Sequence, residues 1–337
     1  MAGIIGWDIG GVNIKAARLA AGAPMRLALE PFELQRAPDR LAPTLAAVAA
    51  GLGGEREDRH AVTMTAELSQ FFRTKREGVD FVLRALEAVF DAGLLRVYGT
   101  DGRFHTADEA RRHPLRTAAA NWMATASLVA QTAPTCVLLD VGSTTTDVVP
   151  IVDGAVAVRG RTDPERLASG ELLYTGALRT PAEAVSSHVP FRGDSAGVSA
   201  EGFAIMGDVY LWLGKIASEE YTLPTPDGRP ATRAFAGERL ARVVCGDRDM
   251  LDDLDVNAIA DALAEAQMEA VASAVRRVGA HHPRITTAVV TGLGEFVAAA
   301  AAARAGLVVH RLAQRLGDAA ARAAPAAAVA MLLEQGA

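Results

Sequence analysis

The chain has 337 residues, half of them hydrophobic and 22% charged, with a net charge of -6. That length accommodates two α/β domains with sizeable cores, and scattered basic residues exclude the electrostatic footprint of a nucleic-acid binder. Two cysteines, Cys136 and Cys245, with no CxxC exclude a disulfide framework and a zinc finger and make a reducing cytoplasm the expected compartment.

The start, MAGIIGWDIGGVNIKAA, lacks a basic n-region and a long apolar h-region, so no signal peptide is expected. Instead Ile4–Leu19 reads as two strands around the turn Asp8-Ile9-Gly10-Gly11-Val12-Asn13. A third strand follows near Met25–Leu34, then a helix near Arg40–Leu52, a strand at His60–Thr65 and a helix at Arg76–Ala92. A strand at Leu95–Gly99 leads into a long helical stretch over Ala107–Gln131, which Ala133-Pro134 stops. The pattern then repeats. Val137–Ile151 is a second hairpin, around Asp140-Val141-Gly142-Ser143-Thr144-Thr145. After it come a strand near Ala155–Arg159, helices at Gly237–Cys245 and Val256–Val278, a strand at Thr287–Thr291, a helix at Glu295–Ala305, a strand at Val308–Arg311 and terminal helices. The run Val297–Ala303 is too short and too weakly apolar to cross a membrane. Strands alternating with helices in both parts predict a layered α/β fold, divided into residues 1–133 and 134–337. The second part carries an insertion over about 160–235, fit for substrate recognition or for dimerisation, which would make the chain a homo-oligomer.

Each Gly-rich turn exposes backbone N–H groups, and glycine is expected there to supply the positive φ that aims them at an anion. Gly10, Gly11, Asn13 and the nearby Lys15 serve the first turn. Gly142, Ser143, Thr144 and Thr145 serve the second, with hydroxyls as extra donors. Asp8 and Asp140, at the strand ends, are suited to holding a hydrated Mg2+ that bridges to phosphate oxygens, with Asp147 beside them. A third Gly turn, Gly292 to Gly294 in VVTGLGEF, precedes a helix and is a candidate nucleotide or anion contact. The cluster Arg73-Thr74-Lys75-Arg76 is a further phosphate-binding candidate, because positive charges at a helix start oppose the macrodipole.

These motifs resemble those of the actin/sugar-kinase/Hsp70 (ASKHA) superfamily. Asp8–Leu19 and Leu139–Ile151 look like its two phosphate motifs, and Val289–Gly294 like its adenosine motif. DVGSTTTDVVPI and ELLYTGALRTP are similar to strings of the hydantoinase A relatives. GWDIGGVNIKAA, MTAELSQFFRTKREGV, RFHTADEARRHPLRTAAANWMATA and GVSAEGFAIMGDVYLWLG resemble the tetrahydromethanopterin-linked C1-transfer pathway family, which includes the methanofuran-biosynthesis synthase.

The resemblance implies a duplicated ribonuclease H-like fold with two facing halves. It implies a transferase that alkylates the phenol of a glutamylated tyramine or tyrosine with an aminomethylfuran-methyl diphosphate and releases diphosphate. Mg2+ would be the cofactor, and the partners would be those two small molecules, with no nucleic acid or membrane. Besides Asp8 and Asp140, the side chains assigned to the chemistry are Lys75 and His188, with Glu201, Asp208 and His105 as other candidate bases. Tyr174, Thr175, Gly176 and Arg179 are candidates for the acceptor pocket. Trp122, Trp212 and Phe203 are candidates for ring stacking, against a plainer reading as core aromatics. The alternatives are an ATP-dependent kinase or ATPase, disfavoured because Glu295-Phe296 departs from the adenosine motif, and a non-catalytic scaffold with a vestigial site.

Overall fold

The computed structural model describes residues 2–336. Strand β1 (Ile4–Ile9) is buried along its whole length, β2 (Asn13–Leu19) folds back antiparallel to it, and β3 (Arg26–Pro31) adds an exposed edge. On the other side, β4 (Arg59–Met64) runs parallel to β1, followed by β5 (Leu95–Tyr98) and β6 (Phe104–His105). The sheet order is therefore β3-β2-β1-β4-β5-β6. Parallel pairing requires crossovers, and α1 (Leu41–Gly51) and α2 (Lys75–Glu87) supply them. Ile5, Trp7 and Ile9 point into the apolar core shared with these helices, which includes Leu45, Val82 and Leu86.

The opposite face of β1 is met by the C-terminal helix. A Cβ on Gly6 would lie 2.0 Å from the Ala326 carbonyl oxygen and 2.9 Å from the Ala330 Cβ, so only glycine permits this approach.

The long helix expected over 107–131 is three shorter ones: α3 (Ala107–Arg112), α4 (Pro114–Thr117) and α5 (Asn121–Ala130). His113 precedes Pro114 and leaves the helical region at φ -127 and ψ 58, and Ala119 takes φ 49. The proline ring disfavours α geometry at the residue before it.

The second sheet repeats the pattern. β7 (Cys136–Val141) and β8 (Thr146–Val152) form its hairpin, and β9 (Ala155–Val156) and β10 (Leu172–Leu173) both pair with β8. With β13 (Thr287–Thr291) and β14 (Val308–Arg311) the order becomes β10-β8-β7-β13-β14. The insertion contributes α6 (Asp163–Ser169), α7 (Ala182–Val185), the ribbon β11 (His188–Phe191) with β12 (Asp194–Gly197), and α8 (Met206–Trp212). It is followed by α9 (Arg233–Arg242), α10 (Asp253–Gly279) and α11 (Glu295–Arg304). The chain closes with α12 (Ala313–Leu316), α13 (Asp318–Arg322) and α14 (Ala324–Glu334).

Two compact units result. The first comprises Met1–Leu138, Val149–Ser169 and Arg311–Ala337, the second Leu139–Val148 and Gly170–His310. The division is thus not a single cut near residue 133. The packing of α14 on β1 returns the C-terminal segment to the first unit. Among the described residues no helix is long and apolar enough to cross a membrane.

Candidate functional site

The two Gly-rich turns close in the same way. The Gly10 N–H donates to the Asn13 carbonyl at 2.9 Å, and the Gly142 N–H donates to the Thr145 carbonyl at 2.9 Å. Neighbouring backbone then occupies the turns' carbonyls. Phe32 and Leu34 donate to Val12 and Gly11; Ala177 donates to Gly142, and Leu178 and Arg179 both donate to Ser143. The N–H groups of Gly11, Val12, Ser143, Thr144 and Thr145 have no acceptor among the described residues, and these residues are half-exposed. Such unpaired, accessible donors are what an anion-binding turn requires.

The expected positive φ is absent. Gly10, Gly11 and Gly142 all lie outside the left-handed region. Gly10 is needed for closeness instead, since its Cβ would fall 2.8 Å from the Asn13 carbonyl oxygen, while around Gly11 the space is open.

Beside the first turn, strand register places Lys15 and Thr63 on either side of Asp8. With Asn13, two residues before Lys15 on β2, they share one sheet face. Asp8 is buried, and Lys15 Nζ is 3.6 Å from its Oδ2. Burial raises the Asp8 pKa, and Lys15 opposes that shift. Asp8 Oδ1, Asn13 Oδ1 and Thr63 Oγ1 are all buried without a hydrogen-bond partner among the described residues. Orphaned oxygens on neighbouring strands suit a hard cation that keeps part of its water shell. No three His, Cys, Asp or Glu side chains cluster as a metal cage among the described residues.

A second acidic feature follows the first turn. The Thr65 N–H donates to the Ile9 carbonyl, and the Thr65 hydroxyl lies 3.5 Å from the Gly10 Cβ position. Two residues on, in the short 3-10 turn Ala66–Leu68, Glu67 is 1% exposed. Gly78 in α2 allows this contact, because a Cβ there would lie 2.5 Å from Glu67 Cα. Lys75, at the start of the same helix, reaches Glu67 at 3.5 Å and Asp163 of α6 at 2.5 Å. Burial outweighs Lys75 and moves the Glu67 pKa up to about 7. Both Glu67 carboxylate oxygens lack a hydrogen-bond partner among the described residues.

The basic cluster therefore splits. Thr74 caps α2 through the Glu77 N–H, Lys75 turns inward, and Arg73 and Arg76 stay exposed. Lys75 is neutralised by two carboxylates, so it is not an open cation for phosphate. Glu67 was absent from the sequence-based candidates. The signal for it was its place in MTAELSQFFRTK, between a buried strand and the basic cluster.

In the second unit the residues of YTGALRT are mostly structural. A Cβ on Gly176 would meet the Thr144 nitrogen at 2.5 Å and the Ser143 carbonyl carbon at 2.6 Å. The buried Gln267 of α10 donates to Thr175 Oγ1 and to the Gly176 carbonyl and accepts from the Tyr210 hydroxyl. Tyr174 and Arg179 remain exposed. Gly292 takes φ 96, and a Cβ on it would lie 2.3 Å from the Val141 oxygen and 2.5 Å from Asp140 Oδ1. A Gly294 Cβ would press on Val141 Cγ1 at 2.4 Å. Packing against the end of β7 accounts for both glycines. Asp140, half-exposed, ends that strand next to its turn, and Asp147 is buried in β8 opposite Leu172.

The other candidates separate by environment. His188 stands exposed on the β11–β12 ribbon, with Nδ1 3.0 Å from the Ser187 hydroxyl. Asp208 is fully buried and bonded to Arg239, the Tyr221 hydroxyl and the Ile205 N–H, so its oxygens are engaged by the core. His105 pairs with Asp101, and Glu201 is exposed. Trp122 lies buried under the Arg166 guanidinium, and Trp212 donates to Asn257. Both are core aromatics. Phe203 is half-buried.

The model of the hydantoinase/oxoprolinase family matches residues 58–336. The chain is 36% identical over 293 residues to "(4-{4-[2-(gamma-L-glutamylamino)ethyl]phenoxymethyl}furan-2-yl)methanamine synthase" of Methanocaldococcus jannaschii, covering 87% of this chain and 86% of that one. It is 41% identical over 161 residues to the protein of the same name from Methanococcus vannielii, covering 48% and 71%. A nucleotide-free acetone carboxylase structure superimposes over 97% of this chain and 70% of that one, with a TM-score of 0.57 at 10% identity. That likeness concerns the fold alone, a duplicated α/β fold.

Proposed function

The chain belongs to the hydantoinase/oxoprolinase family, and on that premise we propose that it is a methanofuran-type cofactor synthase. It joins an aminomethylfuran-methyl diphosphate to the phenol oxygen of a glutamylated tyramine or tyrosine. The observation that carries this reading is the 36% identity spanning 87% of the chain and 86% of the Methanocaldococcus jannaschii synthase.

The reaction forms one bond from the phenol oxygen to the alkyl carbon. It breaks the bond from that carbon to diphosphate, whose oxygen leaves with the electron pair, and the phenol loses its proton. Negative charge grows on the leaving group, so fixed donors aimed at it lower the barrier. The open N–H groups of Gly11 and Val12 are the donors assigned to that charge, and those of Ser143, Thr144 and Thr145 make a second turn able to bind an anion. Asp8 would hold Mg2+ beside Asn13 and Thr63, and a bound ion there would supply further charge neutralisation. Lys15, at 3.6 Å from Asp8, partly offsets the burial that disfavours the ionised carboxylate and adds a cation to the first turn. Asp140 is the corresponding strand-end carboxylate of the second hairpin. Arg73 and Arg76 offer exposed guanidiniums to the anionic groups of either substrate.

An ATP-dependent kinase or ATPase is the competing reading. Its main sequence support, the Gly292 and Gly294 turn, is accounted for by packing on β7. Thermal shift and product analysis separate the two. Mg2+ with diphosphate should stabilise the protein and Mg2+ with ATP should not, and diphosphate release should match ether formation mole for mole. Stabilisation by ATP alone, with acceptor-dependent ADP and no ether, would refute the synthase reading.

A further inference from the structure

The phenol must lose a proton at a pH well below its own pKa near 10, and none of the residues given a role under the proposed function accepts it. We propose that Glu67 is the general base of this reaction and that Lys75, held by Asp163, sets its charge. The assignment rests on the synthase reading and deepens it.

Three observations place the base here. First, both Glu67 carboxylate oxygens are buried and lack a hydrogen-bond partner among the described residues. A buried acceptor left this way is costly, and a phenol O–H is a donor of the kind it lacks. Second, the group is anchored beside the first anion-binding turn. Thr65 bonds Ile9 and lies against Gly10, and Gly78 brings α2 onto the Glu67 backbone. Third, the Lys75 and Asp163 side chains beside it are 21% and 16% exposed, so the cluster lies close to the surface of its unit. The charged groups facing Glu67 are Lys75 from α2 and Asp163 from α6. Asp163 draws Lys75 to 2.5 Å and leaves it 3.5 Å from Glu67. That is near enough to favour the ionised carboxylate, and at most a weak hydrogen bond spans it.

Proton transfer then balances the alkylation. The phenol O–H bond breaks as its oxygen bonds to the alkyl carbon, the proton goes to a Glu67 oxygen, and diphosphate leaves with the electron pair of the carbon–oxygen bond. Lys75 touches neither reacting atom and acts as a positioning residue.

The test uses the full chain with Mg2+, the furan diphosphate and two acceptors: γ-glutamyltyramine and a ring-fluorinated analogue whose phenol is already ionised at the assay pH. With the ordinary acceptor, Glu67→Gln should lower kcat by at least about 100-fold, the usual scale for losing a general base. With the fluorinated acceptor the loss should shrink to less than about 10-fold. Lys75→Met should move the acid limb of the kcat profile to higher pH, because the base loses its neighbouring cation. A thermal melt checks that each variant folds. Should Glu67→Gln fail that check, Glu67→Asp must keep the acid limb and lose rate. Glu67→Gln activity equal to wild type with both acceptors, or an equal loss with both, would overturn the assignment and leave the synthase reading standing. A wild-type protein that makes no ether from either acceptor would sink the synthase reading, and the base with it.

Discussion

Asp8 and Glu67 show what burial does to a single carboxyl group. Desolvation disfavours the charged form of each, and a lysine at 3.6 or 3.5 Å only partly compensates. For Glu67 the folded pKa of about 7 stands above the ordinary 4.5. Below about pH 4.5 the group is protonated in both folded and unfolded chains. As pH rises through the interval to about 7, the unfolded chain ionises first, so stability falls, and above that it levels off. The loss should be roughly 3 kcal/mol at about 1.4 kcal/mol per pH unit. Urea denaturation at pH 5 and pH 8 measures it, and Glu67→Gln should flatten the difference; an unchanged slope would rule out this source. For Asp8, replacement by Asn removes a buried charge. Asp8→Asn should therefore abolish turnover yet melt no lower than wild type, as calorimetry beside the activity assay would show. A marked drop in Tm would mean that the ionised Asp8 serves the fold.

Strands and helices approach one another only where glycine allows it. The Gly6 Cβ position lies 2.0 Å from the Ala326 carbonyl oxygen, and neither backbone can yield cheaply. Gly6→Ala should destabilise the protein by about 3 kcal/mol, at the upper end for overpacking. Gly176 presses in the same way on the backbone of the second turn. Gly176→Ala should weaken Mg2+-diphosphate binding by calorimetric titration, whereas Gly11→Ala, with open space at its Cβ position, should fold with wild-type stability. A destabilised Gly11→Ala together with a neutral Gly176→Ala would contradict this account of the turns. At this scale the sequence was readable where periodicity is strong: β13 and β14 lie at the residues expected, and α1, α2 and α10 differ only at their ends. The break of residues 107–131 into three helices was less so, although His113-Pro114 signalled part of it. The roles of Gly292 and Gly294 were hidden because a tight packing contact and a ligand-binding turn require the same residue.

The duplicated fold was legible in the sequence because both hairpins carry the same aspartate–glycine pattern, and both sheets show it in their strand order. The candidate site was legible only in part. Turn donors follow from local sequence, but Glu67 acquires its character from Gly78, Lys75 and Asp163, the last of these 96 positions away in a different segment. Burial and charge set by such distant neighbours cannot be read from spacing. The return of α14 to the first unit is of the same kind, a long-range contact marked only by Gly6. At the scale of the whole molecule the central claim is that a phenol oxygen becomes an ether oxygen while diphosphate departs. The most direct measurement is mass spectrometry of a turnover with acceptor labelled by 18O at the phenol. The expected result is full retention of the label in an aryl alkyl ether, with unlabelled diphosphate released. Label found in an aryl phosphate, or an unaltered acceptor with the furan diphosphate merely hydrolysed, would contradict it.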